Sequence, residues 1–243
     1  GILTIYDFFA IKNLLSQKDE VIIFNNNFDN AQNFKYYYKK IKEIPLLKKL
    51  TDDINKIILD EENLYDTASV NLLNIRTNIV NLNNEIKEVM VKLSKRYSSY
   101  LSDEKTYIKD SKLTLSVKNT YKNKIKGQTI DTSSSGLSIF IEPIEIYELK
   151  SKINVLKKDE KEEISIILKD LNKKVLNEID NLQILNSIII ELERMFVKGN
   201  LAISHRANFA LSDDYLNLKK AHYPLFKREE SVCNDFYLKE KKA

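Results

Sequence analysis

The chain is predicted to be mainly α-helical: a helical core sends out two long helices that pair as an antiparallel coiled coil and carry a small β-containing subdomain between them. Three observations lead there. Leu72, Ile75, Ile79, Leu82, Ile86, Val89 and Leu93 alternate steps of three and four, the seam of a helix of about 30 residues that needs a partner. Ile146, Leu149, Ile153 and Leu156, then Ile164, Leu168, Leu171 and Val175, supply that partner on the way back. Between them lies Gly127 to Pro143, which holds two of the four glycines, one of the three prolines and a triple serine, so the backbone there does something other than run as helix.

Taken in order, residues 5 to 58 read as two or three short helices. Ile5, Phe8, Phe9, Ile11, Leu14 and Leu15 recur at helical spacing, Asn25-Asn26-Asn27 interrupts, and Asp29 or Asn30 caps the next helix. Pro45 marks a helix start ahead of Leu46, Leu47 and Leu50. Ser69 is the N-cap of the first long helix. Within the returning helix, Lys157 to Glu163 is an unbroken charged run. It reads as a solvated face with internal ion pairs, or as a weak point where the arm flexes. Lys112 to Lys118 alternates with period two and Leu137 to Ile141 is β-rich, so a small sheet belongs here, with Gly127 and Gly136 at backbone angles other residues avoid. Residues 182 to 209 return to a helix apolar nearly all round, which predicts burial, with Gly199 packed closely against a neighbour. Leu216 to Lys220 reads as a strand opening a further domain.

Composition excludes several classes. With 43% hydrophobic and 30% charged residues the chain is globular rather than disordered. The single cysteine, Cys233, excludes an internal disulfide and fits a reducing compartment. No apolar run approaches the ~18 residues of a membrane span and no signal peptide opens the chain, so a cytoplasmic location without a membrane partner is expected. Two histidines, His205 and His222, with one cysteine match no zinc spacing. Asp131 beside Ser133, Ser134 and Ser135 lacks a base and an oxyanion hole for nucleophilic chemistry. Four glycines, at 1, 127, 136 and 199, cannot build a Gly-x-x-x-x-Gly-Lys phosphate loop, so no catalysis and no productive binding of ATP or magnesium is expected of these residues.

Binding is the remaining class. The net charge of +4 is too small to argue for nucleic acid by itself. Its distribution is uneven: Lys95 to Lys126 holds nine Lys or Arg against Asp103, Glu104 and Asp110. Lys112, Lys118, Lys122, Lys124 and Lys126 are the candidate phosphate contacts. The last three are expected to flank a hairpin turn, with Tyr121 available to stack. Ser133-Ser134-Ser135-Gly136 reads either as a turn stapled by side-chain hydrogen bonds or as a concavity of amides for an anion.

One motif resembles a known one. Gly127 to Pro143 matches Gly-x-x-x-Asp-x-Ser-Ser-Ser-Gly-x-x-x-Phe-Ile-Glu-Pro, a run carried by the second-type (MutS-II) branch of the bacterial MutS proteins, through Asp131, Ser133, Ser134, Ser135, Gly136, Phe140, Glu142 and Pro143. Asp66-Thr67-Ala68-Ser69 followed by Leu72 or Leu73 and Ile75-Arg76 resembles that branch's entry to a long helix. Leu218 to Ala221 and Pro224-Leu225-Phe226 resemble the stretch just ahead of its ATPase motifs, which are expected soon after a segment like Val232 to Lys242. Two positions depart: Ser116 stands where the family usually has proline, and His222-Tyr223 where it typically has Arg-His.

The resemblance implies a helical core at 1–62 and 182–213, lever helices at 63–100 and 144–181, a clamp at 101–143, and the start of an ATPase domain at 214–243. It implies a longer protein that dimerises with itself, uses ATP and magnesium, carries in some members a nuclease domain, and acts in DNA mismatch repair or suppression of recombination. Its expected partner is double-stranded or branched DNA. The ribosome is the alternative, and composition does not separate the two.

Overall fold

The computed structural model describes residues 2–27, 34–207, 215–223 and 232–238. It is mainly helical with a small antiparallel sheet, and it divides into two units. Gly1–Ser16 with Leu47–Ile179 forms the first, and Gln17–Leu46 with Asp180–Ala243 the second.

In the first unit, helix α1 (Ile5–Asn26) starts at a capping box. The Thr4 hydroxyl accepts from the Asp7 amide at 3.3 Å, and the Asp7 carboxylate accepts from the Thr4 amide at 2.8 Å. Phe8 and Leu15 of α1 are buried, as are Leu50 and Ile54 of α3 (Lys48–Ile57). The helix starts three residues after Pro45 rather than at it, so Leu46 precedes the helix and is 94% exposed, while Leu47 and Leu50 are buried.

A single 3-10 turn, Asp66–Ala68, leads into α4 (Val70–Arg96). Ser69 caps it as the sequence predicts, accepting from the Leu72 amide at 2.9 Å. The return helix α5 spans Ile144–Asn177. At 1.5 Å per residue the two are about 40 and 51 Å long. They lie antiparallel, tied near the start of α4 by Ser69 Oγ donating to Glu163 (2.7 Å) and by Arg76 donating to Glu160 (2.7 Å). Arg76 also bonds the Leu64 carbonyl and pairs with Asp66. The charged run of α5 is therefore no merely solvated face, because two of its acids reach across to α4.

The seam is not uniform. Leu72, Ile86 and Leu93 are buried, whereas Ile75, Ile79 and Leu82 are half-buried; Met90, not expected on the seam, is buried beside Val89. On α5 the expected Ile146, Leu149, Ile153, Leu171 and Val175 are buried, Leu156, Ile164 and Leu168 are half-covered, and Ile167, not expected on the seam, is buried beside Leu168. Asn172 is also buried, accepting from the Leu3 amide at 3.2 Å.

Between the helices stand four strands, β1 (Leu101–Lys109), β2 (Lys112–Lys118), β3 (Gly127–Thr132) and β4 (Ser138–Pro143), all antiparallel in the order β1-β2-β4-β3. Both outer strands are bulged, β1 between Leu101 and Thr106 and β3 between Thr129 and Asp131. Leu115, Val117, Ile139 and Ile141 turn one sheet face into a core shared with Ile86, Met90, Leu93, Ile146, Leu149 and Ile153. At about 25 cal/mol per Å² of buried apolar surface, this face fixes the sheet on the helix pair.

The second unit holds α2 (Lys35–Lys42), α6 (Ile179–His205) and a two-stranded ribbon of β5 (Leu216–Ala221) and β6 (Asn234–Leu238). Tyr36 and Lys40 both bond Glu191, the lysine at 2.9 Å. Leu182, Leu185, Ile188, Ile189 and Leu192 are buried, but Ile184 and Ile190 on the same stretch are exposed, as are Phe196, Val197, Leu201 and Ile203, so the helix buries one face up to residue 192 and the expectation of all-round burial fails. Close packing at Gly199 fails with it: a Cβ built there meets no atom within 4 Å. The expected cap at Asp29 or Asn30, residues 208–209 of the expected helix, Pro224-Leu225-Phe226 and the end of the Val232–Lys242 segment lie outside the described residues.

Candidate nucleic-acid interface

The sheet sits where α4 ends and α5 begins, and strand alternation sorts its motif residues. Those facing the helices are apolar. Phe140 and Glu142 of β4 alternate with buried Ile139 and Ile141, as Thr114 and Ser116 of β2 alternate with Leu115 and Val117. Asp131 pairs across from Phe140. The Lys109 ammonium stands 4.6 Å from the Phe140 ring centroid and 3.2 Å from the Asp131 carboxylate, while Tyr107 meets Phe140 edge-on at 5.4 Å. The Thr132 backbone amide, first, and Lys109, second, hold the Asp131 carboxyl below its ordinary range. Tyr107 donates to Asp103, which raises its phenol. Lys109 was not among the sequence candidates, yet it links two motif residues. Its partners sit 22 and 31 positions away, and only the register brings them together.

Glu142 is 1% exposed. Its oxygens meet Lys150 of α5 at 2.9 Å and Lys112 of β2 at 3.8 Å, and Lys112 also donates to Gln128 at 2.9 Å. A buried carboxylate held by two half-exposed lysines ties sheet to helix. Lys112 thus spends its charge inside the protein. Pro143 then precedes α5 directly, and the Ile144 amide donates to Lys126 O at 3.0 Å. Gly127 lies under this junction because a Cβ there would stand 2.1 Å from the Glu142 carbonyl oxygen. Its role is close approach, not the unusual backbone angle expected; Gly136 does take that angle, with φ +69°.

The triple serine forms the β3–β4 turn. The Ser133 amide donates to Ser138 O and the Gly136 amide to Ser133 O, both at 2.8 Å, and Ser133 Oγ accepts from the Ser138 amide at 3.0 Å. The Ser133 and Ser135 hydroxyls are 3.4 Å apart. Ser134 is exposed. Two of the four amides of the imagined anion concavity, those of Ser133 and Gly136, are therefore engaged, and the Ser133 hydroxyl is held by the Ser138 amide, which favours the stapled turn.

Lys118, Lys122, Lys124 and Lys126 fall elsewhere than expected. β2 and β3 are not neighbours, so no hairpin joins them. The link is a 3-10 segment, Asn119–Lys124, kinked at Tyr121, followed by buried Ile125. Lys118 reaches the Ser99 carbonyl at 3.4 Å. Lys122, Lys124 and Lys126 are exposed and make no ion pair among the described residues. Tyr121 does not stand alone: its ring lies 5.1 Å from Tyr100, which lies 6.3 Å from Tyr97, and Arg96 sits over Tyr97 at 5.5 Å. Sequence reasoning passed over Tyr97 and Tyr100, although two tyrosines three apart at a helix end, after Lys95-Arg96, are a usable signal of basic–aromatic interleaving.

The motif residues thus lie on one small sheet and its β3–β4 turn, the exposed lysines lie on the link between β2 and β3, and the whole is mounted on a helix pair. Comparison with known proteins supplies the relationship. The chain is 32% identical over 232 residues to the endonuclease MutS2 of Clostridioides difficile, an alignment that covers 94% of this chain and 28% of that protein. Against the endonuclease MutS2 of Clostridium tetani it is 31% identical over 197 residues, 80% of this chain and 25% of that one. The chain resembles one region of MutS2. It spans about a quarter of the length of the MutS2 proteins it matches. The similarity to the MutS2 of Clostridium perfringens, at 26% identity, reaches 98% of this chain. No protein-family model matches. Among the described residues of this MutS2-like chain, no helix is long and apolar enough to cross a membrane, and no group of three or more His, Cys, Asp or Glu is placed to hold a metal ion.

Proposed function

We propose that the chain belongs to the MutS-II branch and is its core, lever and clamp region: α4 and α5 are the lever, and the sheet with its Lys-rich link is a clamp that grips the DNA backbone without reading sequence. The observation that carries the reading is the state of Lys122, Lys124 and Lys126, three exposed ammonium groups free of acidic partners among the described residues, at the end of the helix pair that bears the sheet. Cations already paired within the protein contribute little to phosphate binding, as Lys109 and Lys112 illustrate. Unpaired ones release counterions from DNA and make affinity depend on salt.

In this reading the longer protein works as a cytoplasmic homodimer. ATP and magnesium, bound outside the described residues, move the lever, and the chain itself contributes grip rather than chemistry. The test is anisotropy of labelled duplex and branched DNA over a salt series. Replacing Lys122, Lys124 and Lys126 by glutamine is expected to flatten the slope of log affinity against log salt by about 0.9 for each phosphate that a lysine no longer neutralises. An unchanged slope removes these lysines from the interface. Tighter binding to ribosomal subunits than to any DNA at matched salt would make the same surface a ribosome-docking arm instead.

A further inference from the structure

Three tyrosines converge beside the free lysines from three different pieces of backbone. Tyr97 ends α4, Tyr100 closes the 3-10 turn Ser98–Tyr100, and Tyr121 sits at the kink in the link after β2. Neighbouring ring planes are tilted by 35° and 43°, closer to stacked than to edge-on. A purely structural aromatic cluster would bury its rings and satisfy its hydroxyls. Here Tyr97 and Tyr100 are half-buried, Tyr121 is 38% exposed, and none of the three hydroxyls bonds a described residue. Only Tyr97 packs on the core beneath the sheet.

Cations gather at the rings. Arg96 lies over Tyr97, Lys118 reaches Ser99 O, and Lys122 and Lys124 follow Tyr121 in sequence. Phosphate-binding cations bordering exposed aromatic faces are the chemistry that holds unpaired nucleobases, since every base has a π-face and every linkage a negative charge. Continuous duplex offers the phosphates alone.

Building on the nucleic-acid reading above, we propose that Tyr100 and Tyr121, backed by Tyr97, form a stacking platform for unpaired bases, so that the site prefers DNA carrying a single-stranded flap or fork over uninterrupted duplex.

The experiment uses the whole chain with two DNAs of equal phosphate number, a continuous duplex and a duplex bearing an unpaired flap with 2-aminopurine in it, at one salt concentration. The expected result is flap binding about tenfold tighter, with a change in 2-aminopurine fluorescence. Tyr100→Leu with Tyr121→Leu should abolish both differences while leaving duplex affinity and its salt slope unchanged. Tyr121→Leu alone, at an exposed position, should give part of the loss if the double variant folds poorly by circular dichroism. Tyr147→Leu, on an exposed position of α5, should change nothing. Equal affinity of the parent chain for the two DNAs, or an equal loss on both in the tyrosine variants, overturns the platform while leaving the clamp reading intact. Failure to bind either DNA overturns the clamp reading and the platform with it.

Discussion

Gly127→Ala is expected to be the most damaging single-methyl change in the sheet. The added Cβ would lie 2.1 Å from the Glu142 carbonyl oxygen and 2.9 Å from both its carbon and Ile141 Cγ2. To restore ordinary contact, the end of β3 must move about 1 Å from β4. Neither neighbour can yield as a flexible tip would, because the tightest approach is to backbone. The opening would strain the Gly127–Pro143 and Gln128–Glu142 pairings and the bond from the Ile144 amide to Lys126 O. Overpacking costs about 1–3 kcal/mol and each broken hydrogen bond about 1 more, giving roughly 3–4 kcal/mol. Gly136→Ala provides the contrast, since its Cβ meets nothing within 4 Å and the cost is only that of φ +69°, about 1–2 kcal/mol. Amide hydrogen exchange across 127–143 is the assay, because it reads the sheet's own opening in a chain of two units. If Gly127→Ala shifts sheet protection by less than Gly136→Ala does, the close-approach account of this motif glycine is wrong.

Gly199→Ala should stabilise α6 by about 1 kcal/mol, read from exchange of its amides, because the methyl enters open space; a loss would reveal something occupying that space. Ser69→Ala should cost about 1 kcal/mol by removing the cap of α4 and should also free Glu163, so exchange should rise at the start of α4 and not at its sheet end. The Asp131 carboxyl is held below its ordinary value in the folded chain. Its contribution is thus fully present above the unfolded value near 3.8 and fades as pH falls through the lower folded one. The stability gap between the parent and Asp131→Asn should accordingly be flat above about pH 5 and shrink below it, and a gap that widens in acid would reverse the assignment. Purified chain should turn over no ATP above background, and activity that co-elutes with it on a sizing column would contradict the reading of its glycines.

Elements with strong local signals were legible in the sequence. Ser69, Lys112 to Lys118 and the alternating seam each declare a cap, a strand and a long helix within a few residues. The first and third strands were not, because β1 (Leu101–Lys109) carries charge at four of its nine positions and β3 is the Gly-Gln-Thr-Ile-Asp-Thr edge of a turn; their partners, not their composition, make them strands. The positions of Lys122 and Lys124 were misjudged for the same reason. Assigning a hairpin requires knowing which strands are neighbours, and β4 lies between β2 and β3. Apolar composition predicts more burial of α6 than the fold provides, because an apolar face is buried only where another element covers it. The roles of Glu160 and Glu163 are not legible, because a charged run reads as a solvated face or a weak point and gives no hint that Arg76 and Ser69, 84 and 94 residues away, await them.

The bulges of β1 and β3 bear on how the sheet meets other molecules. They are its two edges, where an open ladder of amides and carbonyls invites a foreign strand to add itself. Each edge is broken by its bulge, and β1 presents Glu104 and Lys105 inside the irregular stretch while β3 is irregular directly before Asp131. A strand from a second molecule would have to pair with a ladder that changes register halfway and to desolvate charge as it did so. Edge-to-edge polymerisation is thereby discouraged even where many copies crowd along one polymer, and recruitment to this subdomain is left to its side chains.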